Sequence, residues 1–225
     1  MTHATIIAGA TIVGQDAYYL TLIERAAYLI AADSGAVLCR TAGRVPDLLV
    51  GDFDSVPLDV VDWARSGGAD ILAAPRDKDV TDLDLALDAA SDRGVRAVTV
   101  SAAWSGRLDH TLASFGSIAR TSGLIIDLAD PGLAGWVLRP DMRGTVRIGP
   151  VGAICSLFAM GGTAMVSTVG MRYELSEDTL LQLSAHGLSN VVTRSPAEVR
   201  VLSGVLVVLS NPLGDGVLAH RTNGG

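Results

Sequence analysis

Short apolar runs alternate with segments of helical periodicity over the first 130 residues of the chain. The pattern predicts strands at residues 5–8, 28–32, 47–50, 70–73, 97–101 and 124–128, and helices at 16–25, 35–41, 58–66, 81–92 and 108–120. Strands that alternate with helices favour a mainly parallel sheet with helices on both faces, so we expect an α/β domain. In such sheets the functional side chains lie at the carboxyl ends of the strands.

The pattern changes after residue 130, where glycine and proline separate short β-rich runs such as ICSLFAM, TAMVSTV, AEVRVLSG and VLVVLS. Short strands at regular spacing are typical of an antiparallel β-sandwich. Only residues 177–184 show helical spacing in this part. We therefore expect two domains, 1–140 and 141–225.

The composition indicates a folded protein with a sizeable core. Of the 225 residues 49% are hydrophobic and 18% charged, which argues against disorder. No apolar run reaches the roughly 20 residues that span a bilayer, and the N-terminus lacks a basic leader, so we expect a soluble, cytoplasmic protein with no membrane partner.

The net charge of −7 argues against nucleic-acid binding. Cys39 and Cys155 lie far apart, so we expect buried, unreactive thiols rather than a disulfide framework or a zinc site.

The charged residues are unevenly distributed by type and position. Of the 24 acidic residues 20 are Asp, and 14 of these lie between Asp33 and Asp109. Lys78 is the only lysine of the chain and stands between Asp77 and Asp79. This placement favours a functional role for the lysine. The alternative is that a genome favouring arginine over lysine left a single lysine here by chance.

The segment LLVGDFDSV joins a predicted strand to two carboxylates. Asp52 and Asp54 are two residues apart, so in extended chain they point to the same face. Carboxylates that close repel one another unless a cation lies between them, and Mg²⁺ prefers such oxygen ligands. The alternative is a turn before Pro57, with Asp54 or Ser55 capping the next helix.

The segment RDKDVTDLDLAL combines a helix start with an excess of charge. Thr81 and Asp84 have the spacing of a capping box, and acids near a helix N-terminus are favoured by its dipole. Capping does not explain Lys78, which suits a phosphate group, or Asp82, which suits a further metal ligand. We therefore expect a site for a metal and a polyphosphate here.

Two further strand ends carry candidate groups. In SGRLDH, Gly106 allows close backbone approach, Arg107 offers a planar fork for phosphate oxygens, and Asp109 follows. His110 is more simply a helix-start side chain. Asp33 ends another strand, in LIAADSGA, which has neither Rossmann nor Walker spacing. All these strand ends should meet at one edge of the sheet.

Together these motifs resemble the thiamine pyrophosphokinase family. The resemblance rests on ADSGA, PDLLVGDFDS, KDVTDLDLAL and GRLDHTLAS, and continues in STVGMRYEL and HGLSNVVT, from about residue 7 to residue 209. It implies an α/β catalytic domain that binds ATP and Mg²⁺, then a β-sandwich that binds thiamine and dimerises. It also implies a homodimer with the active site at the subunit interface, and pyrophosphate transfer from ATP to thiamine, releasing AMP.

The resemblance also implies roles for individual residues. The implied metal ligands are Asp52, Asp54 and Asp82; the ATP site is Asp33, Ser55, Lys78, Thr81, Arg107 and Asp109; the thiamine site is Tyr173, Ser189 and Asn190. The catalytic set is Asp54, Lys78, Asp82 and Arg107. Ala10, Ser34 and Ser105 stand where the family usually has glycine, so close backbone approach to the nucleotide is altered slightly.

The chemistry suggested by these groups is in-line attack of a substrate hydroxyl on the β-phosphorus of ATP, with Asp82 or Asp109 as candidate proton acceptors. The alternative acceptor is another alcohol, such as a hydroxymethylpterin. An aspartate-nucleophile phosphatase would need its DxD after the first strand, whereas Asp52 follows the third. A non-catalytic sensor of ATP or thiamine would bind both without forming AMP.

Overall fold

The computed structural model describes residues 2–75, 79–104 and 106–211 of the chain. Contacts between residues divide the chain into two compact units, with the division between Ile126 and Asp127. Among the described residues, no helix is long and apolar enough to cross a membrane.

The first unit is a parallel sheet with helical connections, as predicted. Its strands are β1 (His3–Ala10), β2 (Leu29–Ala32), β3 (Leu48–Gly51), β4 (Asp70–Ala73) and β5 (Ala97–Ala103). They lie in the order β5-β1-β2-β3-β4, each parallel to its neighbour. The helices are α1 (Asp16–Arg25), α2 (Gly35–Thr41), α3 (Leu58–Ser66), α4 (Asp82–Asp92) and α5 (Leu108–Arg120).

Helices cover both faces of this sheet, because alternate residues of each strand point to opposite sides. Ile7, Leu29 and Leu49 belong to one buried cluster with residues of α1, α2 and α3. Helix α4 contacts β1, β2 and β3 but contributes no residue to that cluster, so it covers the opposite face. Ile6 and Ile30 are fully buried on that side of their strands.

The second unit is antiparallel. Its strands are β6 (Ile125–Asp130), which spans the division, β7 (Leu133–Leu138), β8 (Thr145–Ile148), β9 (Ile154–Val169), β10 (Asp178–Leu180), β11 (Asn190–Val191) and β12 (Ala197–Asn211). The pairing follows the order β6-β7-β12-β9-β10, while β8 pairs with β12 and β11 with β9. Buried apolar side chains of β9 and β12, among them Leu157, Val166, Val199 and Leu206, form its core.

Three features of the second unit differ from expectation. The division lies earlier than residue 140 because β7 pairs with β12, which ties residues 133–138 to the antiparallel strands. Residues 177–184 contain strand β10 rather than a helix, since Glu177 has a φ of 59° and Leu180 is buried against β9. Finally, the predicted runs ICSLFAM and TAMVSTV belong to one long strand, β9, and the runs AEVRVLSG and VLVVLS belong to another, β12.

Both cysteines are buried and unpaired, as the sequence indicates. Burial raises the pKa of the Cys39 and Cys155 thiols to about 12. Neither thiol is therefore a nucleophile near neutral pH.

Candidate functional site

Three carboxylates lie together at the carboxyl ends of β2 and β3. Oxygen atoms of Asp33, Asp52 and Asp54 all lie within 4.8 Å of one another. Two of the three, Asp52 and Asp54, are predicted metal ligands, and Asp33 was predicted to lie near the phosphates instead. The structure thus adds Asp33 to the predicted carboxylate pair.

The backbone at these strand ends brings the carboxylates close. Asp33 has a φ of 45°, and its N–H donates to Val50 O at 2.8 Å, which ties the end of β2 to β3. Gly51 has a φ of 150°, and a Cβ there would lie 3.3 Å from Asp33 Cβ. The residue preceding Asp52 is therefore a glycine for reasons of both backbone conformation and space.

Residues other than glycine rarely adopt a left-handed backbone conformation, yet three do so near the carboxyl ends of strands in the first unit. They are Asp33 after β2, Phe53 after β3 and Ala102 near the end of β5, with φ values of 45°, 60° and 56°. Such positions cost free energy and tend to occur where function requires a particular geometry.

Hydrogen bonds hold the loop that follows β3. Ser55 Oγ donates to Asp33 Oδ2 at 2.6 Å and also lies 3.1 Å from Asp54 Oδ1. The Asp54 N–H donates to Asp52 Oδ1 at 3.1 Å. Ser55 therefore joins the two strand ends, and its place beside the phosphates stays a prediction.

The electrostatics of the cluster favour a bound cation. Burial raises the pKa of Asp33, the nearby Asp82 and Asp52 carboxylates add to this rise, and the Ser55 hydrogen bond opposes it. Asp33 Oδ1 is buried and accepts no hydrogen bond from the described residues. A hard divalent cation with oxygen ligands fits this donor set, because it would neutralise the repulsion and supply the missing partner.

Asp82 is placed by the start of α4. It is the first residue of the helix, half-buried, and its charge acts on Asp33. It lies outside the three-carboxylate cluster within 4.8 Å. The structure therefore places the third predicted metal ligand near the cluster but not in it.

A capping box fixes the start of α4, as its spacing predicts. Thr81 Oγ1 donates to Asp84 Oδ2 at 2.8 Å and accepts from the Asp84 N–H at 3.1 Å, while the Thr81 N–H donates to the same carboxylate at 2.9 Å. Burial alone would raise the pKa of Asp84, but the Thr81 hydrogen bonds, helped by Ser117 and Arg120, lower it. The Thr81 hydroxyl, predicted to contact ATP, serves the helix cap.

Helix α5 holds this cap from the other side. Arg120 Nη2 donates to Asp84 Oδ1 at 3.2 Å, and Ser117 Oγ lies 3.4 Å from Thr81 Oγ1. Ser117 is buried and Asp84 nearly so, with 15% of its side chain exposed. The two helices that follow the predicted phosphate-binding segments are thus linked.

Arg107 and Asp109 form an exposed, two-point ion pair at the start of α5. Arg107 Nη2 lies 2.5 Å from Asp109 Oδ2, and Nε donates to Oδ1 at 3.2 Å. This pairing lowers the pKa of Asp109 to about 2 and raises that of Arg107. Asp109 is therefore a weak proton acceptor, and the guanidinium already takes the two-point geometry that phosphate oxygens accept.

Two predicted positions lie outside the described residues. Lys78, assigned to ATP and catalysis, belongs to the segment 76–78, and Ser105, one of the departures from the family pattern, precedes Gly106.

The second unit contains a pocket of about 460 Å³. It is lined by Tyr173, Glu174, Leu175, Asp178, His186, Leu188 and Asn190. Two of the three predicted thiamine contacts, Tyr173 and Asn190, therefore share one cavity. Ser189 is next in the chain to Asn190 but does not line it.

Asn190 shapes this pocket through its amide. Its Oδ1 accepts from the N–H groups of Tyr173 and Val191 at 3.1 and 2.9 Å, and its Nδ2 donates to Tyr173 O at 2.7 Å. The residue is 6% exposed, whereas Tyr173 is 67% exposed. Asn190 thus holds the backbone of Tyr173, leaving the phenol ring open to a ligand. Ser189 has a φ of 57° and donates its N–H to Ser156 Oγ at 3.1 Å.

Several residues of these sites escaped the sequence reasoning. Glu174 and His186 lie within the segments STVGMRYEL and HGLSNVVT, but the resemblance implies no role for either, and Asp178 lies outside both segments. Asp33 carried a signal, its position at a strand end, but the left-handed turn that brings it to Asp52 is not visible in a pattern of residue types.

Two family models match this chain. The model described as thiamin pyrophosphokinase, catalytic domain, matches residues 19–126, and the model described as thiamin pyrophosphokinase, vitamin B1 binding domain, matches residues 145–206. Together they cover well over half of the chain, and the first match ends at residue 126, where the division between the two units lies.

Curated relatives share these names. Thiamine pyrophosphokinase 1 of Oryza sativa subsp. japonica is 25% identical over 174 residues, covering 73% of this chain and 66% of the relative. Thiamine pyrophosphokinase of Bacillus subtilis (strain 168) is 33% identical over 85 residues, covering 38% of this chain and 40% of the relative. The matches thus span less than two thirds of the length of these relatives.

Solved structures share the fold. The thiamine pyrophosphokinase of Bacillus subtilis has a TM-score of 0.77 at 22% identity, covering 95% of this chain and 100% of the other. That of Candida albicans has a TM-score of 0.73 at 15% identity, covering 92% of this chain and 89% of the other.

Proposed function

The chain belongs to the thiamin pyrophosphokinase family, and from that premise we propose that it transfers pyrophosphate from ATP to the hydroxyl group of thiamine, giving thiamine diphosphate and AMP. The observation that carries the proposal is the convergence of Asp33, Asp52 and Asp54 at one sheet edge. A parallel sheet of this kind uses that edge to bind ligands.

A divalent cation, Mg²⁺ by its preference for carboxylate oxygens, is the cofactor of the proposal. Asp52 and Asp54 would hold it, with Asp33 and Asp82 as the neighbouring carboxylates. When bound, the ion supplies positive charge to the polyphosphate in a region where the chain is acidic.

The protein's own groups would bind and orient ATP around that ion. Ser55 and Asp33 form a hydrogen-bonded pair at the strand ends, and Arg107 is exposed with a guanidinium suited to phosphate oxygens. Lys78, Thr81 and Asp109 complete the proposed ATP site, with Lys78 as a point charge on phosphate. These groups stabilise charge on the transferred group and on departing AMP.

In the proposed reaction the thiamine hydroxyl oxygen attacks the β-phosphorus in line, the bond from that phosphorus to the oxygen of the α-phosphate breaks, and AMP leaves. The hydroxyl proton must pass to a base. The two candidates are Asp82 and Asp109, and Asp109 would first have to lose its pairing with Arg107.

The second unit is the proposed thiamine-binding unit. Tyr173 and Asn190 line its pocket, and Ser189 is proposed as a further contact. A homodimer that shares its active site between subunits, and a cytoplasmic location, remain predictions.

The proposal is tested by measuring AMP release from Mg²⁺-ATP with and without thiamine, together with chromatography for thiamine diphosphate. We expect both products in equal amounts, only when Mg²⁺ and thiamine are present. ATP hydrolysis without an acceptor would contradict the proposal. AMP formation only with another alcohol, such as a hydroxymethylpterin, would replace the acceptor, although the vitamin B1 binding match does not favour this.

A further inference from the structure

The pocket in the second unit combines apolar, aromatic and acidic walls. Tyr173 is exposed and contributes an aromatic ring, while Leu175 and Leu188 contribute aliphatic surface. Glu174 and Asp178 contribute carboxylates to the same cavity, which the His186 imidazole also lines. Its volume of about 460 Å³ falls in the range of cavities that hold small organic ligands.

Each carboxylate is anchored through one oxygen, which leaves the charge available to a ligand. Glu174 Oε1 accepts from the Gly170 N–H at 2.7 Å, and Asp178 Oδ2 accepts from the Ser176 N–H at 2.8 Å. Arg194 Nη2 lies 3.5 Å from Glu174 Oε1, but the two side chains are 71% and 51% exposed, so solvent weakens this pairing. Asp178 is half-buried and is therefore the less screened of the two carboxylates.

We propose that Glu174 and Asp178 make this pocket selective for a heteroaromatic cation over a neutral ring of the same shape. A flat cation gains from an aromatic face, from aliphatic walls and from two nearby carboxylates, whereas a neutral ring loses the last contribution and an anion is repelled. The inference rests on the proposed function, where the ligand is thiamine and the cation is its thiazolium ring. It assigns the selection of charge to residues outside the proposed thiamine contacts.

The test compares the affinity for thiamine with that for an isostere in which a neutral thiophene ring replaces the thiazolium. Calorimetry gives both dissociation constants without requiring turnover. We expect wild type to bind thiamine at least about tenfold more tightly than the isostere. No preference in wild type would overturn the inference.

The variants Glu174→Gln and Asp178→Asn, alone and combined, remove charge but keep an oxygen that can accept the same backbone hydrogen bond. We expect each single change to reduce the preference for the cation severalfold and the double change to abolish it. The KM for thiamine should rise in parallel, with the KM for Mg²⁺-ATP unchanged. A double variant with a wild-type unfolding temperature and an unchanged preference would refute the assignment; if the double variant does not fold, the single variants decide in the same way.

Glu198→Gln is the matched control. Glu198 lies on β12 in the same unit, pairs with Arg147 at 3.6 Å and does not line the pocket, so its loss should leave the preference intact. The two proposals can fail separately. Wild type that prefers the cation but forms no thiamine diphosphate would retain this inference and refute the proposed function; normal turnover with no charge preference would do the reverse.

Discussion

At the scale of single residues, Asp33 shows how a site can oppose the stability of the fold that carries it. Its carboxylate is half-buried, has a raised pKa and lies beside two further acids. It also adopts a left-handed backbone conformation, which most residues avoid. These features all lower the stability of the fold, and they are expected if the negative charge is needed to bind a cation.

We predict that Asp33→Asn raises the unfolding temperature in Mg²⁺-free buffer near neutral pH while reducing AMP release by about a hundredfold or more. The raised pKa means that the charged carboxylate destabilises the folded state. This destabilisation is fully present above the pKa of Asp33 in the folded protein and absent well below the ordinary carboxyl pKa, and a neutral amide removes it. Asparagine also tolerates the left-handed conformation. Scanning calorimetry at pH 7, alongside the product assay, measures both effects.

Asp59→Asn is the control for this experiment. Asp59 is exposed, and a hydrogen bond from Arg40 lowers its pKa, so its neutralisation should leave stability unchanged or reduce it. Equal stabilisation by both changes would show only that the chain benefits from losing negative charge.

Arg107 is the other single residue with a specific expectation. Its planar guanidinium makes two contacts with Asp109, and the same geometry suits two oxygens of a phosphate, whereas a lysine offers only a point charge. We therefore predict that Arg107→Lys raises the KM for Mg²⁺-ATP by about tenfold, with a smaller effect on the KM for thiamine. Steady-state kinetics with each substrate varied in turn measure the difference. Arg65→Lys, at an exposed Arg65–Asp62 pair on α3, should change neither constant.

At the scale of elements, the start of α4 is the clearest link between local structure and function. The capping box fixes the first turn, and this turn carries Asp82 toward the carboxylate cluster. Arg120 and Ser117 of α5 brace the same cap. The cap should therefore influence both stability and the response to Mg²⁺.

We predict that Asp84→Ala lowers the free energy of unfolding by about 1–2 kcal/mol at neutral pH and raises the Mg²⁺ concentration needed for half-maximal activity. The lowered pKa of Asp84 means that its stabilising effect is present above the ordinary carboxyl pKa and is lost as the pH falls through the folded pKa. The difference in the free energy of unfolding between variant and wild type should thus decrease below about pH 4. Denaturant titrations across this pH range, with activity measured against Mg²⁺, test both parts.

Asp84→Glu and Asp88→Ala define the specificity of that effect. Glutamate is the usual third residue of a capping box and should restore most of the stability. Asp88 is an exposed acid on the same helix, and its removal should alter neither quantity. Equal losses from Asp84→Ala and Asp88→Ala would contradict the role assigned to the cap.

The elements themselves were largely predictable where the hydrophobic period was unbroken. The bounds of α1, α2, α3 and α5 agree with the predicted ones, because each combines apolar spacing with a clear end. The sequence predicts β9 and β12 as pairs of shorter runs, because glycine weakens the interior of a strand. Here β9 continues through Gly161 and Gly162, while pairing shifts register on either side of Ser203, so the extra residues are absorbed without ending the ladder.

The site was predictable to the level of strand ends and no further. A sequence shows that Asp33, Asp52 and Asp82 follow or precede regular elements, which suffices to place them at one edge of the sheet. The distances between their carboxylates depend on left-handed turns and on the absence of a side chain at Gly51, and only the folded backbone shows these. The pocket around Tyr173 depends on a loop fixed by Asn190, and loops carry little periodicity.

At the scale of the whole molecule, the two units divide the proposed tasks, and their charge agrees with this. Residues 1–126 carry a net charge of −6, with 16 acids and 10 bases, whereas residues 127–225 carry eight acids and seven bases. An acidic first unit that binds a polyphosphate would need a cation, while the second unit has no such requirement.

We predict that the two ligands protect different parts of the chain from hydrogen exchange. Mg²⁺ with a non-hydrolysable ATP analogue should slow exchange at the ends of β2 and β3 and at the start of α4, and thiamine should slow it at residues 171–191. Mass spectrometry of peptides from the two units measures both patterns. Protection of the second unit by the nucleotide and of the first by thiamine would reverse the assignment of tasks.

The burial of both native thiols has a practical consequence for spectroscopy. With Cys39 and Cys155 fully buried and their pKa near 12, a maleimide at neutral pH should react only with a cysteine introduced at an exposed position. One such cysteine in each unit, for example at the exposed Val13 and the exposed Val151, would accept a pair of fluorophores in the otherwise native chain. Energy transfer between them would then report any movement of the units during turnover, without a cysteine-free background having to be built first.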